Sequence, residues 1–145
     1  AMPDAGFQNP SPDVIKALLR QVRRIAVVGL SPKANRPSHR VAAALQGFGY
    51  QIIPVRPAVD VVLGEQAYPD LYAVDGPVDL VDVFRAPQHV GPIVDACIEL
   101  KVPALWLQDG VINEAEAQRA RQAGIQVVMD RCIYRDYLSL GIDKL

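Results

Sequence analysis

The run Ile25 to Leu30 is continuously apolar, and it empties through Gly29 into the polar, basic segment Ser31-Pro32-Lys33-Ala34-Asn35-Arg36 before Pro37 opens a helix. An uninterrupted apolar run of this length is the form of a strand buried on both faces, and such a strand belongs to a parallel sheet covered by helices on either side. A chain containing this unit is therefore driven toward an α/β architecture. The junction also has a chemical meaning. A helix N-terminus presents unpaired backbone N–H groups and the positive end of its dipole, so a loop there carrying Ser, Lys and Arg can hold an anion.

The rest of the chain repeats the alternation. Ser11 followed by Pro12 is an N-cap with proline at the first helical position, and Val14, Ile15, Leu18, Leu19 and Val22 then recur on one face. After the helix opened by Pro37, with Val41, Leu45 and Phe48 at helical spacing and Gly47 and Gly49 ending it, Gln51 to Val55 reads as a second strand. Val78 to Phe84 is a third strand, Pro87 starts a helix with Val90, Ile93, Val94, Cys97 and Ile98 on one face, and Ala104 to Leu107 is a fourth strand. An Ala-rich helix from about Asn113 to Gln122 ends at Gly124, and Ile125 to Met129 is a fifth strand. This pattern predicts a Rossmann-like, doubly wound five-stranded parallel sheet of order 3-2-1-4-5 in chain numbering, with helices on both faces and an extra N-terminal helix.

With 145 residues the chain suits a single domain over 1–145, of which 1–10 reads as a flexible N-terminal segment. Half the residues are apolar and 21% are charged, which excludes the composition of a disordered chain. A net charge of -1 argues against a nucleic-acid partner, since that role wants a basic excess. The N-terminus is polar and no apolar run approaches membrane-spanning length, so neither a signal peptide nor a membrane partner is expected. Two cysteines, Cys97 and Cys132, fit neither a disulfide scaffold nor a zinc spacing, and a cytoplasmic location follows as the expectation.

In a doubly wound sheet the ligand lies beyond the carboxyl ends of the strands. The polar residues at those ends are Ser31, Lys33 and Arg36 after strand one, Arg56 and Pro57 after strand two, and Phe84 and Arg85 after strand three. Gln108 to Gly110 follow strand four, and Asp130, Arg131 and Cys132 follow strand five. Leu30 and Val55 flank the first two loops. The first loop carries only Gly29 where a G-x-G-x-x-G turn would seat a pyrophosphate, and strand two ends in Arg56 rather than the acidic residue that accepts a ribose hydroxyl. Both features disfavour NAD. A phosphorylated ribose, the 2′-phosphate of NADP or the 3′-phosphate of coenzyme A, suits arginines at the strand ends through charge-assisted contacts.

Five motifs then bear on the choice: GLSPKANRPS (Gly29 to Ser38), GYQIIPVRP (Gly49 to Pro57), VDVFR (Val81 to Arg85), ALWLQDGVINEAEA (Ala104 to Ala117) and AGIQVVMDRC (Ala123 to Cys132). In this order the chain resembles the small CoA-binding domain proteins of bacteria and archaea. The resemblance implies a Rossmann-like domain related to the CoA-binding module of succinyl-CoA synthetases and ADP-forming acetyl-CoA synthetases, here standing alone. It implies that CoA or an acyl-CoA is the ligand, ahead of NADP. It makes Gly29, Ser31, Lys33, Arg36 and Ser38 candidates for the diphosphate loop, and Phe84 and Arg85 candidates beside the adenosine. Two departures stand out: Arg56 replaces the asparagine of a P-V-N-P ending, and Asp109 adds a negative charge before Gly110.

Several of these residues have a plainer reading. Ser31 and Ser38 read as phosphate ligands or caps rather than nucleophiles, because no general base is placed beside them. Arg85 could pair with Asp79 or Asp82. Cys97 and Trp106 read as core, and Glu114, Glu116, Arg119 and Arg121 as a solvated helix face. Cys132, beside Arg131 at a strand end, reads as buried and inert or as a thiolate. The leading expectation is a binding module without chemistry of its own, working as a homodimer or with a partner subunit. The alternatives are an NADP-binding reductase-like protein and a CoA-linked acyl or phosphoryl transfer enzyme using Cys132.

Overall fold

The computed structural model describes residues 6–142. Among these residues seven strands and five α-helices occur in the order α1 (Pro12–Gln21), β1 (Arg24–Val28), α2 (Pro37–Gly47), β2 (Gln51–Val55), β3 (Val61–Val62), β4 (Glu65–Gln66), β5 (Leu80–Val83), α3 (Val90–Glu99), β6 (Ala104–Leu107), α4 (Glu114–Gln122), β7 (Gln126–Met129) and α5 (Ile133–Ser139). Short 3₁₀ turns at Leu71–Ala73 and Pro87–His89 precede β5 and α3. The expected helix signals act as read. Ser11 caps α1 by accepting from the Val14 N–H, and α4 begins where the Asn113 side chain accepts from the Glu116 N–H. Gly124 follows α4 at φ +93°.

Five strands form one parallel sheet in the order β2-β1-β5-β6-β7. The expectation of 3-2-1-4-5 is therefore corrected: the third long strand, β5, does not lie outside β2 but pairs directly with β1, giving 2-1-3-4-5. Physically, β5 is buried at every position and needs a neighbour on each side, whereas β2 carries Pro54, which cannot donate to a ladder and suits an edge. Beyond that edge the chain folds back: the Tyr68 N–H donates to the Pro54 carbonyl and the Arg56 N–H to the Tyr68 carbonyl, covering part of the exposed strand. Between them β3 and β4 form a small hairpin whose turn residues, Leu63 and Gly64, both have positive φ.

Side chains alternate across the sheet and build two cores. On one face Ile25, Val27, Leu80, Trp106 and Val128 meet α1, α2 and α5. On the other, Ala26, Val83, Leu105 and Met129 meet α3 and α4. The C-terminal helix α5 has no counterpart in the sequence reading. It buries Ile133 and Tyr137, and the Tyr137 ring stacks on Phe48 beyond α2 at a centroid distance of 3.9 Å. Of the segment expected to be flexible, residues 1–5 lie outside the described residues. Asn9 exchanges hydrogen bonds with both the N–H and the carbonyl of Met129, at 2.7 and 2.9 Å, so the chain at this point is pinned along the β7 edge. Arg121 of α4 sits over the Phe7 ring, an attachment that the reading of α4 as solvated missed.

Candidate functional site

The β1–α2 connection leads to one face of the sheet and the β5–α3 connection to the other, so a crevice opens between Gly29 and Phe84. Gly29 is wedged there. Its N–H donates to the Val55 carbonyl at 2.9 Å, its φ is +87°, and a Cβ would stand 2.5 Å from the Phe84 carbonyl oxygen. Only glycine fits both constraints. Next to it the loop is stapled internally: Ser38 Oγ accepts from the Ser31 N–H at 2.9 Å, and Ser31 Oγ accepts from the Lys33 N–H at 3.1 Å. Both serines are buried, so their first task is to shape the loop rather than to cover it. Arg36, the N-cap of α2, makes no side-chain cap bond, which leaves that helix end open to an external acceptor.

A cleft of about 760 Å³ sits over this point, lined by Gly29, Ser31, Lys33, Arg36, Ser38, Arg56, Phe84, Gln108 and Cys132 among the expected residues. Pro32, Pro37, Val41, Asp109 and Val111 complete it. Val111 was not singled out by the sequence, although its spacing three residues after Gln108 would bring it back to the same mouth. A second hollow of about 350 Å³ lies across Gly29 from the cleft and takes Val55, Pro57 and Arg85, together with the unforeseen Pro69 to Tyr72. Among the described residues Lys33, Arg36, Arg56 and Arg85 form no salt bridge and no side-chain hydrogen bond. Four unneutralised cations thus gather around one glycine in a chain of net charge -1.

Other expected residues are engaged elsewhere. The Leu30 side chain is fully buried in the core. Gly110 donates its N–H to Asp130 Oδ1 at 2.8 Å, and Asp130 holds a left-handed φ of 60° to reach it. Arg131 forms a two-pronged ion pair with the buried Asp136, at 2.6 and 2.8 Å, and the carboxylate raises its pKa. Neither Gly110 nor Arg131 lines the cleft. The proposed partners of Arg85 are both occupied or hidden: Asp79 accepts from the N–H groups of Arg23 and Arg24, and Asp82 is fully buried in β5. Among the described residues neither Asp82 oxygen has a hydrogen-bond partner, and burial pushes its carboxyl well above the usual carboxylate range. Trp106 is a core residue whose Nε1–H donates to the Arg131 carbonyl at 2.8 Å.

The two cysteines differ. Cys97 lies within the α3 core and burial pushes its thiol up to about 12, far from any reactive range. Cys132 is half-buried at the start of α5 and faces the cleft. Among the described residues no group of three or more His, Cys, Asp or Glu side chains could hold a metal, and no helix is long and apolar enough to cross a membrane.

The fold and the crevice define a class first: a doubly wound α/β domain with a glycine-hinged, cation-bordered loop at its switch point, suited to a phosphorylated ligand. The sequence comparison then assigns the family. Residues 23–137 match the profile described as the CoA binding domain, and the chain belongs to that family. It is 44% identical over 127 residues to the uncharacterized protein YneT of Bacillus subtilis, covering 88% of this chain and 94% of that one. A hypothetical protein from Pyrococcus horikoshii superposes with a TM-score of 0.89 at 28% identity, covering 97% of this chain and 99% of its own. A protein of Thermus thermophilus does so with a TM-score of 0.86 at 32% identity, over 90% and 99%.

Proposed function

We propose that this chain is a binding module for coenzyme A or an acyl-CoA and performs no chemistry of its own. The observation that carries the reading is the set of free cations, Lys33, Arg36 and Arg56, lining one cleft beside the uncapped N-terminus of α2. The ligand's diphosphate takes the Ser31 to Ser38 loop, where Lys33, Arg36 and the helix N-terminus supply positive potential. The 3′-phosphate lies toward Arg56 and Arg85, the cations at the ends of β2 and β5. Membership of the CoA-binding family supports the choice of ligand over NADP. The single glycine in the loop supports it too, since Gly29 allows one close backbone approach rather than the three of a dinucleotide fingerprint.

Replacement of Arg36 tests the reading. Arg36→Ala removes one charge-assisted contact and weakens CoA binding by about 1.5 to 3 kcal/mol, or roughly ten- to over a hundredfold in Kd by titration calorimetry. Unchanged affinity removes Arg36 from the site. Native mass spectrometry of the purified protein identifies a retained CoA, acyl-CoA or NADP directly, and NADP in the cleft would overturn the assignment.

A further inference from the structure

The far end of the cleft has a different chemistry from the phosphate end. Gln108 follows β6, which lies two strands from β1, so it stands roughly 10 Å across the sheet from the Gly29 loop. Its side chain is oriented by the fold: Oε1 accepts from the Ile133 N–H at 3.2 Å, which turns the amide nitrogen away from α5. Gln108 is only 4% exposed, yet among the described residues Nε2 has no acceptor. It is not sealed off either, because the enclosed, unpaired side-chain atoms among the described residues are Arg24 Nε and the two oxygens of Asp82. A nearly buried N–H₂ group on a cleft-lining residue, with no partner among the described residues, is a donor held ready for an acceptor on the ligand.

The surroundings say which kind of acceptor. The cations that follow in the chain, Arg131 and Arg135, lie outside the cleft lining and are paired with Asp136 and Asp109, so this end does not compete with the Lys33 and Arg36 end for phosphate. Val41, Val111 and the half-buried Cys132 offer apolar and soft surface in the same cleft. A neutral carbonyl followed by a short apolar group matches a single amide donor bordered by such walls. We propose that this end of the cleft is a subsite for the acyl thioester, with Gln108 Nε2–H donating to its carbonyl oxygen, so that the module prefers a short-chain acyl-CoA over free CoA. This inference rests on the CoA reading given above.

The test compares CoA with acetyl-CoA by titration calorimetry on the whole chain. The wild type should bind acetyl-CoA about two- to tenfold more tightly, the range a neutral hydrogen bond supplies. Gln108→Glu keeps an acceptor for the Ile133 N–H and removes the donor, and the ratio of the two dissociation constants should fall to about one. Equal affinity in the wild type, or a ratio that survives in Gln108→Glu, overturns the thioester subsite while leaving the CoA reading intact. Failure of the wild type to bind either ligand overturns the CoA reading and this inference together. If Gln108→Glu does not fold, acetyl-CoA labelled with ¹³C at its carbonyl decides: a downfield shift on binding to the wild type is expected, and an unshifted resonance overturns the proposal.

Discussion

Asp82 provides a sharp test of the fold's energetics. It lies in the middle of the sheet, opposite Val27 on β1 and Trp106 on β6, fully buried and with both carboxyl oxygens unpartnered. A lone carboxylate there would lose its hydration without compensation, so burial holds the carboxyl pKa well above the usual carboxylate range. The sign of the pH dependence follows. In the unfolded chain the group ionises around its ordinary value of 3.8, whereas in the folded chain it keeps its proton to much higher pH. Between those two values the unfolded state binds fewer protons, and stability falls as pH rises by about 1.4 kcal/mol per pH unit. Below 3.8 the penalty is absent, and above the folded pKa it is constant.

Asp82→Asn keeps the shape and the unpaired polar atoms but cannot ionise. Urea unfolding of both proteins should therefore give nearly equal stabilities at pH 3.5, with the variant gaining on the wild type as pH rises past about 4.5, by about 1.4 kcal/mol per unit until the folded pKa of Asp82 is reached. Trp106 is the only tryptophan and pairs across the strands with Asp82, so its fluorescence reports the transition. A stability difference that stays flat from pH 4.5 to 7 would refute the reasoning, since it would mean that the native carboxylate is ionised and compensated.

Gly29→Ala places a Cβ 2.5 Å from the Phe84 carbonyl at a φ of +87°; it should cost at least about 1–2 kcal/mol by urea unfolding and abolish the thermal shift produced by CoA. Arg131→Met strands the buried Asp136 without its ion pair. It should destabilise by about 1–2 kcal/mol after allowance for the half-exposed guanidinium, with CoA affinity within twofold of wild type by calorimetry. Iodoacetamide should label Cys132 in the native protein and Cys97 only after unfolding, as read by peptide mass spectrometry, because burial holds the Cys97 thiol at about 12.

Much of this molecule is written locally. The apolar runs at Ile25 and Ala104 and the proline openings at Pro12 and Pro37 each depend on neighbours a few residues away, and each produces the element expected of it. The gathering of one candidate loop at the cleft was legible for the same reason: Gly29, Ser31, Lys33, Arg36 and Ser38 lie within one short stretch of chain, and all five line the cleft. One further signal was present, since Pro54 already marks β2 as an edge strand. The helix α5 was less readable, because its seven residues carry too short a pattern and its stability comes from Phe48, Tyr50 and the Arg131–Asp136 pair.

By itself, then, the sequence determined the α/β class, the alternation of strands and helices, and the basic, glycine-led loop after β1, all products of short-range periodicity and turn chemistry. Only the tertiary structure decided that β5 lies beside β1, that Arg131 belongs to Asp136, that Asp82 is sealed in the sheet, and that the Gln108 amide is left with a free donor. Those outcomes depend on which strands pair and which side chains meet across more than twenty residues of chain. Competition among burial, charge pairing and hydrogen-bond satisfaction settles them in space, and no local pattern records its result.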